Sequence, residues 1–289
     1  MLLKKTALPL AIFALFLTGC AQNISKTPEK IATVDYGALD TLIALGAQNK
    51  VVALPNKGMP SYIQEQMQNS NLVDAGGLKE PNIENLQQTN PDLIIVTGRQ
   101  TASFDQLEQI APLLNYSADA NRYWPSVKEN IFKLGQRVAT AEEVEQAWST
   151  LQNDIHQTQA SIQANPLKTL VLLHNDGKLI AASYAAYGQF IHNVLQAPQA
   201  AAQFKEPRTA LTLEQIKNIN PEVIFIIDRS AAIGAQPMDI KLFEQPELAK
   251  VKAIESQRIV YLTPDLWYLS GNGLQSLSLQ AKEVEQAFN

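Results

Sequence analysis

Two arginines separated by 130 residues are the residues of this sequence whose type and spacing most directly suggest a binding site. Arg99 and Arg229 each stand shortly after an apolar run, and each closes one copy of a repeated segment. A guanidinium is a permanently charged, planar donor of hydrogen bonds, which suits an anionic ligand. If the two copies face each other, both arginines reach one cleft. The pattern therefore predicts an anion-binding site between two lobes.

The repeated segment predicts where these arginines lie. Residues 84–99 align without gaps on residues 214–229, and both ends and the internal Asn-Pro pair are identical. Each copy predicts a short helix, a break at Asn-Pro, a buried strand and then the arginine. Because ligands of open α/β sheets bind beyond the carboxyl ends of the strands, the repeat predicts two lobes of like topology with equivalent binding edges.

The first residue of each copy is a glutamate, Glu84 or Glu214, on the exposed side of the predicted short helix. We interpret the pair as acidic contacts, one on each lobe, for basic pockets of a partner with two-fold symmetry. The simpler alternative is a pair of solvated carboxylates on the helix surface.

Aromatic residues lie in a predicted loop near the C-terminus. Trp267 and Tyr268 follow the apolar run 259–262 and precede a C-terminal helical pattern. Side chains in such a loop either cover the core or stack on a planar ligand, and a phenolate oxygen also binds ferric iron. These two residues are therefore candidates for ligand contact, with Tyr268 also a candidate for contact with iron.

No pattern in the sequence indicates catalysis or a bare-metal site. The Gly-x-Ser-x-Gly, P-loop and Gly-x-Gly-x-x-Gly motifs do not occur. The three histidines, at positions 156, 174 and 192, are scattered, and His174 ends a predicted strand before an Asn-Asp-Gly hairpin turn. The sequence therefore favours a binding protein over an enzyme.

Apolar runs that alternate with helical patterns predict an α/β fold with parallel sheets. The predicted strands occupy residues 31–34, 51–54, 93–96, 170–173, 223–227 and 259–262. Residues 141–164 contain no Gly or Pro and follow Thr140, a good helix N-cap, so they predict one long helix. The predicted organisation is an N-terminal lobe over 31–140, a linking helix over 141–165 and a C-terminal lobe over 166–289.

The single cysteine of the 289-residue chain indicates what kind of segment the N-terminus is. Residues 1–19 have a basic start and a short apolar run, and Leu-Thr-Gly-Cys then matches a bacterial lipobox. We therefore expect a signal peptide over 1–19, lipidation of Cys20 and a polar tether over 20–30. The protein is expected in the periplasm, attached to a membrane by its lipid only. The net charge of −5 argues against a nucleic-acid partner.

Several segments together resemble a known family. Residues 35–46, the duplicated Asn-Pro element, the mid-chain helix and residues 266–274 resemble class III (cluster A) periplasmic binding proteins of ABC importers, in the branch that takes ferric catecholate siderophores. The resemblance implies two Rossmann-like lobes joined by a single long helix, with the ligand cleft between them. It also implies a monomer with no intrinsic cofactor, which captures ferric iron inside a catecholate or mixed catecholate siderophore and delivers it to an ABC permease dimer.

The resemblance implies roles for individual residues. Arg99 and Arg229 match arginines that hold catecholate oxygens, and Tyr268 matches a tyrosine that binds iron when the siderophore leaves coordination sites open. Glu84 and Glu214 match carboxylates that dock on arginines of the permease.

The sequence departs from the family pattern at two places. Tyr187 stands where relatives have a third cleft arginine, and residues 204–209 lack the histidine that accompanies the iron-binding tyrosine. Arg208 lies beside the missing histidine and replaces some positive charge. These departures favour a chelate that is already complete, or one of mixed catecholate chemistry.

Two other functions fit parts of the pattern. Haem or a corrinoid is an alternative ligand of the same fold, with Tyr268 or Tyr187 as the axial ligand of haem. An envelope enzyme or a surface-assembly lipoprotein is the alternative from a different class, and the lack of a nucleophile–base pair and the duplicated lobes argue against it.

Overall fold

The computed structural model describes residues 27–67, 72–182, 185–201 and 209–289. The predicted signal peptide, Cys20 and Arg208 lie outside the described residues. The end of the predicted tether lies inside them, where the backbone N–H groups of Glu29 and Lys30 donate to the Asp92 carboxylate at 2.9 and 3.0 Å. Within the described ranges, no helix is long and apolar enough to cross a bilayer.

The N-terminal lobe is built on a sheet of five parallel strands in the order β3-β2-β1-β4-β5. Its strands are β1 (Ile31–Thr33), β2 (Val51–Leu54), β3 (Val73–Asp74), β4 (Leu93–Val96) and β5 (Leu113–Asn115). The order changes direction at β1, next to β4. Such a reversal places the binding edge of an α/β sheet at the carboxyl ends of these two strands.

The C-terminal lobe has a second five-stranded sheet in the order β10-β9-β6-β7-β8. Its strands are β6 (Thr169–Asn175), β7 (Lys178–Ala181), β8 (Ala210–Leu211), β9 (Val223–Asp228) and β10 (Ile259–Leu262). β6, β9 and β10 are parallel, whereas β7 runs antiparallel to both β6 and β8. The antiparallel strand follows from the tight turn at Asp176 and Gly177, whose φ angles of 50° and 73° suit a two-residue hairpin.

Helices surround both sheets. The α-helices are α1 (Tyr36–Ala44), α2 (Ser61–Gln66), α3 (Ile83–Thr89), α4 (Phe104–Glu108), α5 (Tyr123–Val138), α6 (Ala141–Ala164), α7 (Ala186–Gln189), α8 (Leu213–Ile219), α9 (Arg229–Ala232), α10 (Lys252–Glu255), α11 (Pro264–Tyr268) and α12 (Leu274–Glu285). Short 3-10 helices occupy Gln48–Lys50, Gly98–Ser103, Ile240–Glu244 and Pro246–Leu248, and a π-helix occupies Phe190–Val194.

The predicted repeat is confirmed as a structural repeat. The two copies form α3–β4 and α8–β9, and the Asn-Pro breaks lie at Asn90 and Asn220. Both asparagines have left-handed backbones, with φ of 44° and 50°, which ends each helix before the proline. The strands that follow are buried along their whole length.

The predicted long helix is confirmed as α6, with the same bounds. Thr140 and Glu143 form a capping box, in which the Glu143 carboxylate accepts from the Thr140 N–H at 2.8 Å. Its buried stripe packs against α5 and α12. Trp148 on this stripe lies 5.1 Å, centroid to centroid, from Trp124 of α5. The helix therefore joins the lobes through a packed apolar face.

The C-terminal helix α12 returns to the N-terminal lobe and packs on α1. Asp40 of α1, which is fully buried, accepts from the N–H groups of Gln275 and Ser276 and from the Tyr62 hydroxyl, each at 2.7 Å. This carboxylate therefore caps α12 from a distant part of the chain. A Cβ at Gly273 would lie 2.5 Å from Asp40 Oδ1, so the close approach requires glycine.

Candidate functional site

Two arginines from opposite lobes meet at Tyr268. Arg229 Nε donates to the Tyr268 hydroxyl at 2.8 Å, and Arg229 Nη1 donates to Asn175 Oδ1 at 2.6 Å. Arg99 Nη2 donates to the Tyr268 carbonyl oxygen at 3.1 Å. The guanidinium carbons of Arg99 and Arg229 lie 5.9 and 5.4 Å from the centroid of the Tyr268 ring, which is cation–π range. The two cationic groups therefore share one aromatic neighbour, as the repeat predicted that they would share one cleft.

A buried histidine–aspartate pair holds the chain at Arg229. His174 Nδ1 lies 2.7 Å from Asp228 Oδ1, while His174 Nε2 accepts from a backbone N–H of the hairpin turn at 3.1 Å. The Asp228 carboxylate also accepts from the N–H groups of Ala231 and Met238. Burial alone would raise the pKa of Asp228, but these hydrogen bonds outweigh it and hold that pKa below its ordinary value. The pair fixes the first turn of α9, and with it Arg229.

Arg99 is placed by the 3-10 helix that follows β4. The Thr97 hydroxyl accepts from the Arg99 N–H at 3.4 Å, and the Gln100 side chain accepts from the Thr97 N–H at 2.7 Å. The buried Gln100 amide also donates to the carbonyl oxygens of Val34 and Leu78. These hydrogen bonds fix the backbone around Arg99, whose side chain is exposed.

Trp267 and Tyr268 lie on the short helix α11, where the sequence analysis expected a loop. Pro264 begins the helix at its first position, which is favourable because proline lacks the N–H that would be unpaired there. Trp267 is only 2% exposed, and its indole N–H donates to Glu283 Oε2 at 2.7 Å. Trp267 therefore packs mainly into the core, with one edge at the cleft, whereas Tyr268 is half-buried.

A central cavity of about 370 Å³ opens between the lobes at these strand ends. Its aromatic lining residues are Tyr116, Tyr123, Tyr187, Trp267 and Tyr268, and its charged lining residues are Asp35 and Arg99. An aromatic lining with a few charged groups is typical of a site for a planar organic ligand. Tyr187, predicted from the resemblance, thus lies in the cavity together with Arg99 and Tyr268.

Sequence reasoning missed Asp35, Tyr116 and Tyr123. Asp35 and Tyr116 follow β1 and β5 closely, so the rule that located Arg99 would also have located them. Tyr123 begins α5, and no sequence signal places it in the cleft.

Burial controls the charge of the central cavity. It raises the pKa of Asp35, against the opposing effect of the Arg99 charge, and it raises the pKa values of Tyr116 and Tyr123. Both tyrosine hydroxyls are therefore neutral at physiological pH. They donate to the carbonyl and side-chain oxygens of Asn272, at 3.2 and 2.8 Å.

A second cavity, of about 340 Å³, adjoins the first at Arg99 and Tyr268. We call it the cationic cavity, and its lining residues are Gly77, Leu78, Lys79, Glu80, Arg99, Arg229, Ile233, Tyr268 and Leu269. Three of its charged residues are cations, so its chemistry is that of an anion site. In the described part of the chain, no group of three His, Cys, Asp or Glu residues is placed to hold a bare metal ion.

Glu84 and Glu214 are exposed in the first turns of α3 and α8. Each of these helices begins at the carboxyl edge of its sheet and runs back to the start of the next strand. Because the cleft opens at the same edges, one glutamate of each lobe lies on the side of the molecule where the cleft opens.

Comparison with known proteins places the chain among relatives of the same architecture. The petrobactin-binding protein YclQ of Bacillus subtilis is 30% identical over 265 residues, which is 91% of this chain and 83% of that protein. Its crystal structure superposes with a TM-score of 0.86 and covers 91% of this chain and 93% of that one.

Two further solved structures have the same fold. The iron-uptake substrate-binding protein PiuA of Streptococcus pneumoniae is 32% identical, with a TM-score of 0.84 over 91% of this chain and 94% of that one. The siderophore-binding protein BauB, solved with two acinetobactin molecules and ferric iron, is 25% identical, with a TM-score of 0.81 over 91% and 93% of the two chains.

A family model agrees with these likenesses. The model of the periplasmic binding proteins matches residues 31–266, which include both sheets, the linking helix and most of the cleft. The family binds substrates for transport and does not catalyse reactions on them. With its two α/β lobes and the cleft between them, the chain belongs to the periplasmic binding protein family.

Proposed function

We propose that this protein captures a ferric siderophore, of catecholate or mixed catecholate chemistry, and delivers it to the permease of an ABC importer. The observation that carries the proposal is the meeting of Arg99 and Arg229, one from each lobe, at the ring of Tyr268. The ligands named for YclQ and BauB support it. Iron is here the cargo of the chelate and not a cofactor of the protein.

The geometry explains how the ligand is bound without a chemical reaction. Guanidinium N–H groups of the two arginines donate to anionic oxygens of the chelate, while the tyrosines and the edge of Trp267 stack against its aromatic rings. Because the arginines come from different lobes, a bound chelate links the lobes together. Tyr268 coordinates iron only in chelates that leave coordination sites open. Arg208 is proposed to add positive charge to the binding site for this ligand.

The lipid anchor at Cys20 belongs to the same proposal. It would hold the protein at a membrane on the periplasmic side, within reach of a permease. The sequence Leu-Thr-Gly-Cys, which ends at this cysteine, supports it. The intact mass of protein extracted from membranes tests it, since lipidation adds the acyl groups to a chain that starts at residue 20.

Titration with ferric chelates tests the capture. We expect a ferric catecholate or mixed catecholate siderophore to quench tryptophan fluorescence with a Kd of about 1 µM or tighter, because Trp267 borders the central cavity. The matched control is the iron-free siderophore. A panel of such chelates that produces neither quenching nor a thermal shift would overturn the proposal. A Soret band on addition of haem would favour the haem alternative instead.

Delivery is tested separately from capture. We expect Glu84→Arg together with Glu214→Arg to abolish siderophore-dependent growth while leaving the Kd for the chelate unchanged, because both side chains are exposed and away from the cavity linings. Glu108→Arg with Glu247→Arg, also exposed and one in each lobe, is the control. Normal growth of the first double variant would remove these glutamates from the permease contact.

A further inference from the structure

An apolar cavity of about 370 Å³ adjoins the central cavity, and Arg229 is not among its lining residues. The N-terminal lobe contributes one wall and the β6–β7 hairpin and α7 contribute the other. Its lining residues are Ala118, Ala120, Tyr123, Leu173, Ile180, Ala181, Ala182, Ala185, Ala186, Tyr187 and Gln189. Ala118, Tyr123, Ala186 and Tyr187 also line the central cavity, so the two spaces are continuous.

The described lining of the apolar cavity carries no charge. Three of its backbone N–H groups, those of Ala181, Ala182 and Ala185, already donate to carbonyl oxygens at 2.8 to 3.1 Å. The Tyr123 hydroxyl donates to Asn272, and the Gln189 amide donates across the lobes to the Ala120 carbonyl at 3.0 Å. A charged group placed here would lose its hydration without gaining a partner.

Small side chains keep this cavity open. Six of its eleven lining residues are alanines, contributed by both walls. Protein interiors are close-packed, and a space of this size between apolar walls is unfavourable when it is left to poorly bonded water. Ligand sites, by contrast, are commonly 300 to 1,000 Å³ and mostly apolar. The alanine walls are therefore better explained as room for a ligand group than as imperfect packing.

The cleft thus has two chemically different ends. Arg99, Arg229 and Lys79 line the cationic cavity together with Glu80, whereas the described lining residues of the apolar cavity are all neutral. A symmetrical chelate with three anionic arms would have to place one arm against the neutral walls. A chelate with its charge at one end matches both cavities at once.

We propose that the apolar cavity binds an uncharged arm of the chelate, so that the protein selects elongated, unsymmetrical ferric chelates over compact symmetrical ones. This inference rests on the proposed function, since it assigns the neutral part of the same ligand. Arg99 and Arg229 hold the anionic, iron-bearing end, the central aromatic cavity holds the middle, and the alanine walls hold the arm.

A pair of synthetic chelates tests the proposal. One is iron bound by a bis-catechol ligand with a hexyl amide arm, and the other is the same complex without the arm. We expect the wild-type protein to bind the armed chelate about tenfold or more tighter, because burial of several methylene groups favours it. Ala185→Leu, at a residue that lines the apolar cavity and not the central one, should remove this preference and change the Kd of the unarmed chelate by less than about twofold.

Controls separate filling of the cavity from loss of the fold. Ala120→Leu, on the opposite wall, should act as Ala185→Leu does, whereas Ala249→Leu, exposed and outside the described cavities, should keep the preference. Equal binding of the two chelates by the wild-type protein overturns this inference alone. So does an equal loss of affinity for both in the two filling variants. Failure of the wild-type protein to bind either chelate overturns the proposed function, and this inference with it.

Discussion

Replacement of both Arg99 and Arg229 by alanine is expected to weaken the binding of a ferric catecholate chelate by about a hundredfold or more. A hydrogen bond to a charged group contributes about 1.5–3 kcal/mol, and 1.4 kcal/mol corresponds to a tenfold change in Kd. We take the lower part of this range because Arg99 is exposed and its charge is screened by water. Fluorescence titration of the double variant with the same chelate measures the effect.

Two further variants separate charge from geometry. Arg99→Lys with Arg229→Lys keeps both charges but lacks the planar donor fork, so we expect an intermediate loss of affinity. Arg122→Ala removes an exposed arginine that pairs with Glu129 at 2.6 Å, outside the described cavities, and should bind as the wild-type protein does. An unchanged Kd in the double alanine variant would exclude the two arginines from the site.

Replacement of Asp40 by alanine is expected to destabilise the folded protein by about 3 kcal/mol or more. Three donors, the N–H groups of Gln275 and Ser276 and the hydroxyl of Tyr62, lose their acceptor in a buried place, and each unsatisfied group costs about 1–3 kcal/mol. For a chain of this size, the melting temperature should fall by about 6–12 °C. Calorimetry measures it, with the exposed Asp105→Ala as control.

The same substitution has a predictable pH dependence. Burial raises the pKa of Asp40 from 3.8 to about 7, against the hydrogen bonds, which lower it. A raised carboxyl pKa means that the contribution of Asp40 to stability is full below 3.8 and declines as the pH rises to about 7. The loss on replacement by alanine should therefore be larger at about pH 5 than at about pH 8. A loss that grows with pH would contradict this account of Asp40.

The sequence was informative wherever a local pattern carried the signal. The bounds of α6 follow from the Thr140 cap and from the lack of breakers up to Ala164, and both are local features. The structural repeat follows from a gapless alignment, and the position of Arg99 and Arg229 after their strands follows from it. These predictions needed no knowledge of which distant segments meet.

Features that depend on distant contacts escaped prediction. Asp40 reads in sequence as an ordinary polar helix residue, because nothing near it shows that α12 will cover it. The apolar cavity is formed by alanines from two lobes, and a scattered set of alanines has no pattern of its own. Trp267 looks the same in sequence whether it faces a ligand or packs into the core, since its partner Glu283 comes from another helix.

The capping of α12 by Asp40 also affects the order in which the chain folds. Asp40 is synthesised early, and the N–H groups that it accepts from belong to residues 235 and 236 positions later. Until those residues emerge from the ribosome, α1 lacks the part of its cover that α12 supplies. Contacts between such distant residues form late and slow the folding of a chain. We therefore expect the N-terminal lobe to remain incompletely folded during synthesis. A chain in this state can pass through a secretion channel.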